Sequence, residues 1–315
     1  MAKTVRHRRP QAVLLRLGTS ALVLWGAVTV SFVALRLTPG SVEDALIGTT
    51  TVTPQVRAQI IADHGLDQSF LVQYGTYLAN MVTGDLGHSY RLQQSVVSAV
   101  GSQAGASVAL ALTAVTLALV VSTVLALLTA RRARWLRGFS SGVELVGISV
   151  PTFWVGILLL TFFSFRLGWF PAAGGEGPAG LVLPAVAVAV PLTALLTQVM
   201  REGLEIALDE PFVLTARARG MSDAGVRLRH ALRHALLPVV TLAGWMLGSL
   251  IGAMVVIEQV FNRQGVGRLV LAAVQDKDLP VVMGVVLLSA VVYITVSALL
   301  DLLYRVIDPR LRGTA

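Results

Sequence analysis

Six long apolar runs constrain the fold of this chain more than any other feature of its sequence. They lie near residues 13–37, 105–130, 143–167, 181–200, 239–257 and 281–306. A helix needs about 20 mainly apolar residues to cross the hydrocarbon core of a bilayer. Because lipid offers no hydrogen-bond partner to exposed backbone groups, each run is predicted to be helical. The sequence therefore predicts an all-α membrane protein with six transmembrane helices.

The composition supports this interpretation. Only 13% of the 315 residues are charged and 55% are hydrophobic, whereas soluble domains carry about 25% charged residues. The first run follows Arg6, Arg8 and Arg9, as the apolar stretch of a signal peptide would. However, the run exceeds the usual length of about 7–15 residues, and no clear small-residue cleavage site follows it. We therefore expect the first run to be retained as a span.

The basic residues are unevenly distributed among the segments between the runs. If the N-terminus is cytoplasmic, 18 of the 25 Lys and Arg residues fall in cytoplasmic segments, within 1–16, 131–137, 201–233 and 305–312. Short cytoplasmic loops of membrane proteins carry such an excess of Lys and Arg. The pattern predicts a multi-pass protein with both termini in the cytoplasm. It also accounts for the net charge of +8 without a nucleic-acid partner.

The long connection after the first run, residues 38–104, is predicted to contain two amphipathic helices outside the membrane. Pro54 is a helix-start signal, and Gly65 ends the first pattern. The second pattern is followed by Gly84, and its apolar positions recur at helical spacing: Phe70, Leu71, Tyr74, Leu78 and Met81. We expect the aromatic and apolar face to lie either on the membrane or on the bundle of spans.

Sequence motifs for enzymatic chemistry are absent. No G-x-x-x-x-G-K-[ST] phosphate-binding loop occurs, since Lys3 and Lys277 are the only lysines. The chain has no cysteine, and its five histidines fall outside the apolar runs. His230 and His234 are four residues apart and are candidate ligands of one metal, but no third ligand is evident. The sequence therefore predicts neither an enzyme nor a metal site.

The basic segment near 201–237 is the longest predicted cytoplasmic loop. Pro211 follows two acidic residues, which is typical of the first turn of a helix. That helix is predicted to end near Arg219, with Gly220 in the left-handed conformation that commonly ends helices. A rigid two-helix loop of this kind suits docking of a soluble partner. The alternative is a basic amphipathic segment lying on anionic lipid.

A second helix is predicted after the glycine, capped by Ser222 or Asp223, and Pro238 is predicted to introduce the next span. The residues of this second loop helix divide into two faces by helical spacing. One predicted face holds Ala224, Leu228, Ala231, Leu232 and Ala235. The residues predicted to lie largely away from that face are Arg227, His230, Arg233 and His234.

Several segments, taken in order, resemble one family. They are RLTPG (36–40), HGLDQSFLVQY (64–74), GDLGHS (84–89), ISVPTFWVGILLL (148–160), TARARG (215–220), LRHALRHALLPVVT (228–241), VVIEQVFNRQGVGRL (255–269) and DPRLR (308–312). The chain is similar to permeases of binding-protein-dependent ABC importers. Within that class it resembles the dipeptide/oligopeptide/nickel family, in particular its B-type subunit. The segment around Gly220 resembles the cytoplasmic EAA loop of these permeases.

The resemblance implies a type I ABC importer permease fold of the bacterial inner membrane, with an extracytoplasmic helical insertion after the first span. Its expected parts are a cytoplasmic N-terminus and first transmembrane helix (1–37), the insertion (38–95), the permease core (96–306) and a cytoplasmic tail (307–315). The implied partners are a second homologous permease subunit, two ABC ATPase subunits or domains, an extracytoplasmic substrate-binding protein and membrane lipid. The ATPases would bind ATP and Mg²⁺, and no cofactor is expected in this chain.

The resemblance also implies which residues couple transport to ATP hydrolysis. Leu214, Thr215 and Ala216 stand where Glu-Ala-Ala would stand in other importers. The implied ATPase-coupling residues are Thr215, Ala216, Arg217, Arg219, Gly220, Ser222 and Asp223. The substrate implied is a di- or oligopeptide. Nickel, haem or another small solute is the alternative cargo, and a membrane scaffold or lipid-binding protein is the alternative function.

The fifth run holds two further candidate sites. Gly244, Gly248 and Gly252 recur at four-residue steps, and small residues at that spacing let helices approach closely. They would serve either packing within the chain or the interface with a second permease subunit. Glu258 follows at the end of the run. Its carboxylate is a candidate outer gate that meets a substrate ammonium group, or it caps the adjacent turn through backbone N–H groups.

Overall fold

The structure is a computed structural model that describes residues 8–37, 53–63, 65, 67–174 and 177–307. The predicted cytoplasmic tail beyond residue 307 and the first part of the predicted insertion, 38–52, lie outside the described residues. The described helices are α1 (Arg8–Leu37), α2 (Pro54–Asp63), α3 (Phe70–Thr83), α4 (Val96–Thr129), α5 (Arg134–Ser149), α6 (Thr152–Leu159), α7 (Ala179–Ala207), α8 (Pro211–Ala218), α9 (Asp223–Val226), α10 (Leu232–Val260), α11 (Val266–Gln275) and α12 (Leu279–Ile307). Two π-helical segments, Leu160–Arg166 and Arg227–Ala231, continue α6 and join α9 to α10.

The described residues among 1–106 and 264–294 form one compact unit, unit 1. Helices α2 and α3 form at the two predicted positions, and α3 ends at Gly84, whose φ is +81°. α2 has no buried residue, so the predicted amphipathic face of this helix is not confirmed. On α3, Tyr74 and Leu78 pack against Val28 and Phe32 of α1. The predicted apolar face of α3 therefore packs on other helices. Leu71 departs from this pattern, since it is 76% exposed.

A polar contact also stabilises unit 1. Asp278 is 2% exposed and accepts hydrogen bonds from the Ser89 hydroxyl and from the backbone N–H groups of Tyr90 and Arg91, the latter two at 3.2 Å. A buried carboxylate is stable only when its charge is compensated or hydrogen-bonded. These donors therefore fix the loop before α4 against the turn before α12.

Unit 2 comprises the described residues among 107–263 and 295–315. Within it, α5 and α7 pack antiparallel, because their paired residues run in opposite order along the two helices. Arg137 pairs with Glu205 at 3.2 Å, and Glu144 pairs with Arg201 at 2.6 Å. Close approach is also favoured by glycine, since a Cβ on Gly147 would lie 3.0 Å from Ala194 Cβ.

The third predicted span is broken into two helices. α5 and the helix Thr152–Arg166 meet at an angle of 99°. Val150, at the break, has an extended backbone with φ −78° and ψ 126°. Pro151 explains the break, because proline lacks an N–H donor and disfavours a helical conformation of the residue before it.

Pro238 does not separate the loop from the fifth span, contrary to the prediction. A single helix of 38 residues, Asp223–Val260, runs through it. Ala235 and Val239 flank Pro238 and are both fully buried. Similarly, α7 continues through Pro184 and Pro191. Interior prolines are tolerated in membrane helices where neighbouring groups compensate the lost backbone hydrogen bond.

Four described helices are long and apolar enough to cross a membrane: Val96–Thr129, Ala179–Ala207, Asp223–Val260 and Leu279–Leu303. The pair bent by 99° makes a fifth span if it is counted as one. The first predicted span is represented by a shorter apolar stretch, Gly18–Ala34. The fold is therefore a multi-span all-α bundle, and the total of six spans stays a prediction.

Candidate functional site: the basic two-helix loop

The basic loop folds as two helices joined at a left-handed glycine. α8 begins with Pro211 at its first position, where proline has no hydrogen bond to lose. Gly220 follows with φ +79°, as the sequence predicts. A Cβ at this glycine would meet nothing within 4 Å. The requirement for glycine is therefore set by the backbone conformation and not by crowding.

The second helix begins at a capping serine. The Ser222 side chain accepts a hydrogen bond from the Gly225 backbone N–H at 3.3 Å, which confirms Ser222 as one of the two predicted caps. After the four residues of α9 the helix widens into the π-helical segment Arg227–Ala231. A π-helical turn takes up more residues than an α-helical one, so it shifts the positions that face the rest of the protein.

The predicted faces of this second helix are confirmed from Ala231 onwards, where Ala231, Leu232 and Ala235 pack in the core of unit 2, but they were wrong before it. Arg227 is 7% exposed and lies with the fully buried Ala231 and Ala235. Ala224 is exposed, and Leu228 is 55% exposed. The π-helical segment places residues 227, 231 and 235 on the buried face. The burial of a charged residue is possible here because its donors are satisfied.

Asp223 connects both helices of the loop through arginines. Its Oδ1 accepts from Arg217 at 3.1 Å, across the Gly220 turn, and its Oδ2 accepts from Arg227 at 2.7 Å. Arg227 also donates to the Ala130 carbonyl oxygen at 2.8 Å. The sequence places Asp223 in the loop by resemblance, but it contains no periodic signal for the contact between Arg227 and α4.

The exposed surface of the loop combines apolar and basic groups. Leu214 is 71% exposed, and Thr215, Arg219 and Gly220 are exposed. Ala216 is an exception among the predicted coupling residues, because it is 7% exposed and belongs to the core of unit 2. An exposed leucine side chain beside exposed arginines on a short helix forms a surface suited to binding a protein groove.

The two loop histidines contact an aromatic ring. The His234 ring stacks on Phe212 with centroids 5.0 Å apart, and the His230 ring lies 6.2 Å from Phe212. These contacts join α8 to the second helix of the loop. Among the residues that the structure describes, no group of three or more His, Cys, Asp or Glu side chains is placed to hold a metal ion.

The glycines of α10 differ in their surroundings. A Cβ on Gly244 would lie 2.7 Å from Leu300 Cγ, so Gly244 allows α10 and α12 to pack closely. Gly248 is partly buried, while Gly252 is exposed and a Cβ there would meet nothing within 4 Å. Gly244 thus serves packing within the chain, whereas Gly252 leaves an open face on α10.

Glu258, the candidate outer gate, is fully buried within unit 2. Its Oε1 accepts a hydrogen bond from the Ser107 hydroxyl on α4, and its backbone carbonyl accepts from the Arg263 N–H at 2.8 Å. The carboxylate is therefore held against α4 and is not on the protein surface.

Glu144 and Arg201 form a second buried charged contact, which the sequence does not pair. The two terminal nitrogens of the Arg201 guanidinium donate to the two carboxylate oxygens of Glu144, at 2.6 and 2.7 Å. The side chains are 4% and 9% exposed. Ser140 and Ser141 accept further hydrogen bonds from the guanidinium, at 3.3 Å each. This geometry is the bidentate form that stabilises arginine–carboxylate pairs most.

A chain with several apolar helices of membrane-spanning length and a basic two-helix loop is a membrane protein, and sequence comparison identifies its class. Residues 122–313 match the family described as binding-protein-dependent transport system inner membrane component. The chain belongs to this family. It is accordingly a multi-pass inner-membrane transport component and not an enzyme.

Curated relatives match along nearly the whole chain. A Brucella abortus (strain 2308) protein, named provisionally as a peptide transport system permease, is 35% identical over 95% of this chain and 98% of its own length. The glutathione transport system permease protein GsiC of Escherichia coli O6:H1 is 33% identical over 89% of this chain and 92% of its own. The dipeptide transport system permease protein DppB of Alkalihalophilus pseudofirmus is 28% identical over 92% and 96%.

One solved structure is also similar. A chain from the crystal structure of an amino acid ABC transporter with histidines aligns with a TM-score of 0.49 and 19% identity. The alignment covers 73% of this chain and 97% of that chain.

Proposed function

We propose that the chain is one transmembrane permease subunit of an ATP-driven importer of di- or oligopeptides. It forms half of the translocation path. The proposal is supported by relatives that are named for peptide, dipeptide and glutathione transport and match nearly the full chain. Glutathione is itself a small peptide, so these names agree on one chemical class of substrate. Nickel, haem and lipid-scaffold functions lack a comparable observation.

The two-helix loop at 201–238 is the proposed docking site for an ABC ATPase subunit, and the observation that carries this is its exposed helix–turn–helix geometry. Leu214 projects from α8 with 71% of its surface exposed. The turn beside it is held by Gly220 and by the ion pair between Arg217 and Asp223. A loop of this stiffness transmits a displacement, which an extended polar loop would not. The ATPase subunits would bind ATP and Mg²⁺, so this chain needs no cofactor.

The open face of α10 is the proposed contact with a second homologous permease subunit. Gly252 is exposed, with no atom within 4 Å of a Cβ built on it, and Trp245 on the same helix is 60% exposed. The two residues lie two turns apart on one side of the helix, where a small residue lets a partner helix approach and a large aromatic one offers it a packing surface. Motion of the two subunits relative to each other would open and close the path.

The remaining organisation is proposed from the charge distribution and the family. Both termini are placed in the cytoplasm, which puts the docking loop on the ATPase side. The insertion 38–95, containing α2 and α3, then faces outwards, where a substrate-binding protein delivers the peptide. Residues 1–37 hold the first span, 96–306 the permease core and 307–315 the cytoplasmic tail.

Reconstitution tests the proposed function directly. The complex formed by this chain, a second permease and two ATPase subunits is inserted into proteoliposomes with the binding protein outside. We expect accumulation of labelled dipeptide that requires ATP on the loop side. The matched control is a Walker-A lysine variant of the ATPase. Accumulation that is independent of ATP, or uptake of nickel or haem but no peptide, would contradict the proposal.

A further inference from the structure

Arg227 is a buried cation between the docking loop and the inner end of α4. Its side chain is 9% exposed. It donates to Asp223 within the loop at 2.7 Å and to the Ala130 carbonyl oxygen at 2.8 Å. Burying a guanidinium is unfavourable unless its charge and its donors are matched. Asp223 matches the charge from within the loop, and the Ala130 carbonyl oxygen, which lies 97 residues before Arg227 in the sequence, accepts a further hydrogen bond.

The contact on α4 is a helix cap. Ala130 follows the last residue of α4 and is fully buried, and the carbonyls of a helix C-terminus lack partners within the helix. A cation is favoured there because the helix dipole places partial negative charge on these carbonyls. After this point Arg131 has φ +50° and the chain turns into α5. The guanidinium of Arg227 thus holds the end of α4 where the chain reverses.

The segment that leads into the first helix of the loop also contacts the chain at the end of α4. Arg131 forms an ion pair with Asp209, which lies between α7 and α8. Arg227, in the second helix of the loop, contacts Ala130, and Asp209, in the segment before α8, contacts Arg131. The Arg217–Asp223 ion pair at 3.1 Å closes the loop across Gly220. The contacts of Arg227, of Asp209 and of the Arg217–Asp223 pair therefore connect the loop to the end of α4.

We infer that Arg227 is a positioning residue that couples the docking loop to α4, so that displacement of the loop moves the inner end of this helix. The inference rests on the proposed docking of an ATPase subunit to the loop. Arg227 itself is buried and leaves the exposed docking surface unchanged. Its removal should therefore impair transmission of movement while binding of the ATPase persists.

The test compares Arg227→Met with Arg229→Met in the complete reconstituted complex. Arg229 is exposed in the same π-helical segment, so its variant controls for loss of positive charge in the loop. We expect Arg227→Met to co-purify with the ATPase but to import roughly tenfold fewer peptides, or fewer still, per ATP hydrolysed, since losing a charge-assisted hydrogen bond shifts an equilibrium by about that factor. Arg229→Met should import as many peptides per ATP hydrolysed as the wild type, even if the lost charge weakens ATPase binding. Arg227→Lys should recover part of the coupling, because it keeps the positive charge. The recovery should be incomplete, because an ammonium group cannot reproduce the forked donors with which the guanidinium reaches two acceptors.

The outcomes separate the two levels of the proposal. If the wild-type complex imports no peptide or binds no ATPase, the proposed function fails and this inference fails with it. If the wild type is active and Arg227→Met couples equally well, only the inference is overturned. A purely structural role would lower the yield of the two Arg227 variants in proportion to stability without changing peptide imported per ATP, and that result would overturn the inference.

A distance measurement decides the case in which Arg227→Met does not assemble. The native chain has no cysteine, so spin labels can be attached at Arg132→Cys and Ala224→Cys, two exposed positions on either side of the contact. We expect the distance distribution between them to be the same in the nucleotide-free and the ATP-trapped complex. A shift of that distribution on nucleotide binding would show that loop and helix move separately, and would overturn the inference.

Discussion

Replacement of Gly244 by leucine tests the close packing of α10 on α12. A Cβ at this position would lie 2.7 Å from Leu300 Cγ, where ordinary contacts between carbon atoms are about 3.5–4.0 Å. Gly252 on the same helix supplies the matched control, because a Cβ there meets nothing within 4 Å. Both replacements gain the same helix propensity, so the difference between them isolates the overpacking. Overpacking of this kind costs about 1–3 kcal/mol.

Thermal unfolding of the purified chain in one detergent measures this difference. We expect Gly244→Leu to melt below Gly252→Leu, and Leu300→Ala to restore part of the loss in Gly244→Leu, since the two residues share the contact. Equal midpoints, or a lower midpoint for Gly252→Leu, would refute the packing argument. The assembled complex should respond differently from the isolated chain. There Gly252→Leu should weaken association with the second permease, because it fills the open face of α10.

Three further predictions address the loop, the buried ion pair and the absence of ATP chemistry. Gly220→Val should leave membrane insertion intact but abolish ATP-coupled uptake, because a β-branched residue is strained at φ +79°. Gly220→Asn should retain much of the uptake, because asparagine tolerates this conformation better. Equal uptake by both variants would contradict the requirement for a left-handed residue at this turn. Arg201→Met should destabilise the chain by about 3–5 kcal/mol by leaving Glu144 buried without its partner, whereas the double variant with Glu144→Leu should be close to neutral; a double-mutant cycle of unfolding midpoints checks this, and equal effects would contradict it. Finally, the purified chain alone should show no ATPase activity, and turnover that survives removal of contaminating ATPases would overturn that prediction.

The helical framework is predictable from the sequence because its signals are local. Apolar runs of membrane-spanning length, Pro54 and Pro211 at helix starts, and Gly84 and Gly220 after helix ends each depend on a few neighbouring residues. The structure places helices and left-handed turns where these signals predict them. The predicted two-helix loop with its serine cap follows from the same kind of local chemistry.

Contacts between distant segments are not predictable in this way. Helical spacing assigns Arg227 to the exposed face, but the π-helical segment and the Ala130 carbonyl bring it into the protein. Likewise, Pro238 and Pro151 carry the same local signal, although the first is accommodated within a helix and the second produces a bend of 99°. The packing around each proline decides between these outcomes, and a single sequence does not record that packing.

Cysteine crosslinking at Leu214 tests the central claim, which is that an ABC ATPase subunit binds the basic loop in the cytoplasm. Leu214 is 71% exposed on α8, and Leu214→Cys provides a unique thiol in a chain without cysteine. In inner-membrane vesicles this thiol should crosslink to the partner ATPase, with a yield that changes on ATP binding, and should resist a membrane-impermeant reagent applied from outside intact cells. Labelling by that external reagent, or the absence of any ATPase crosslink in an active complex, would contradict the account.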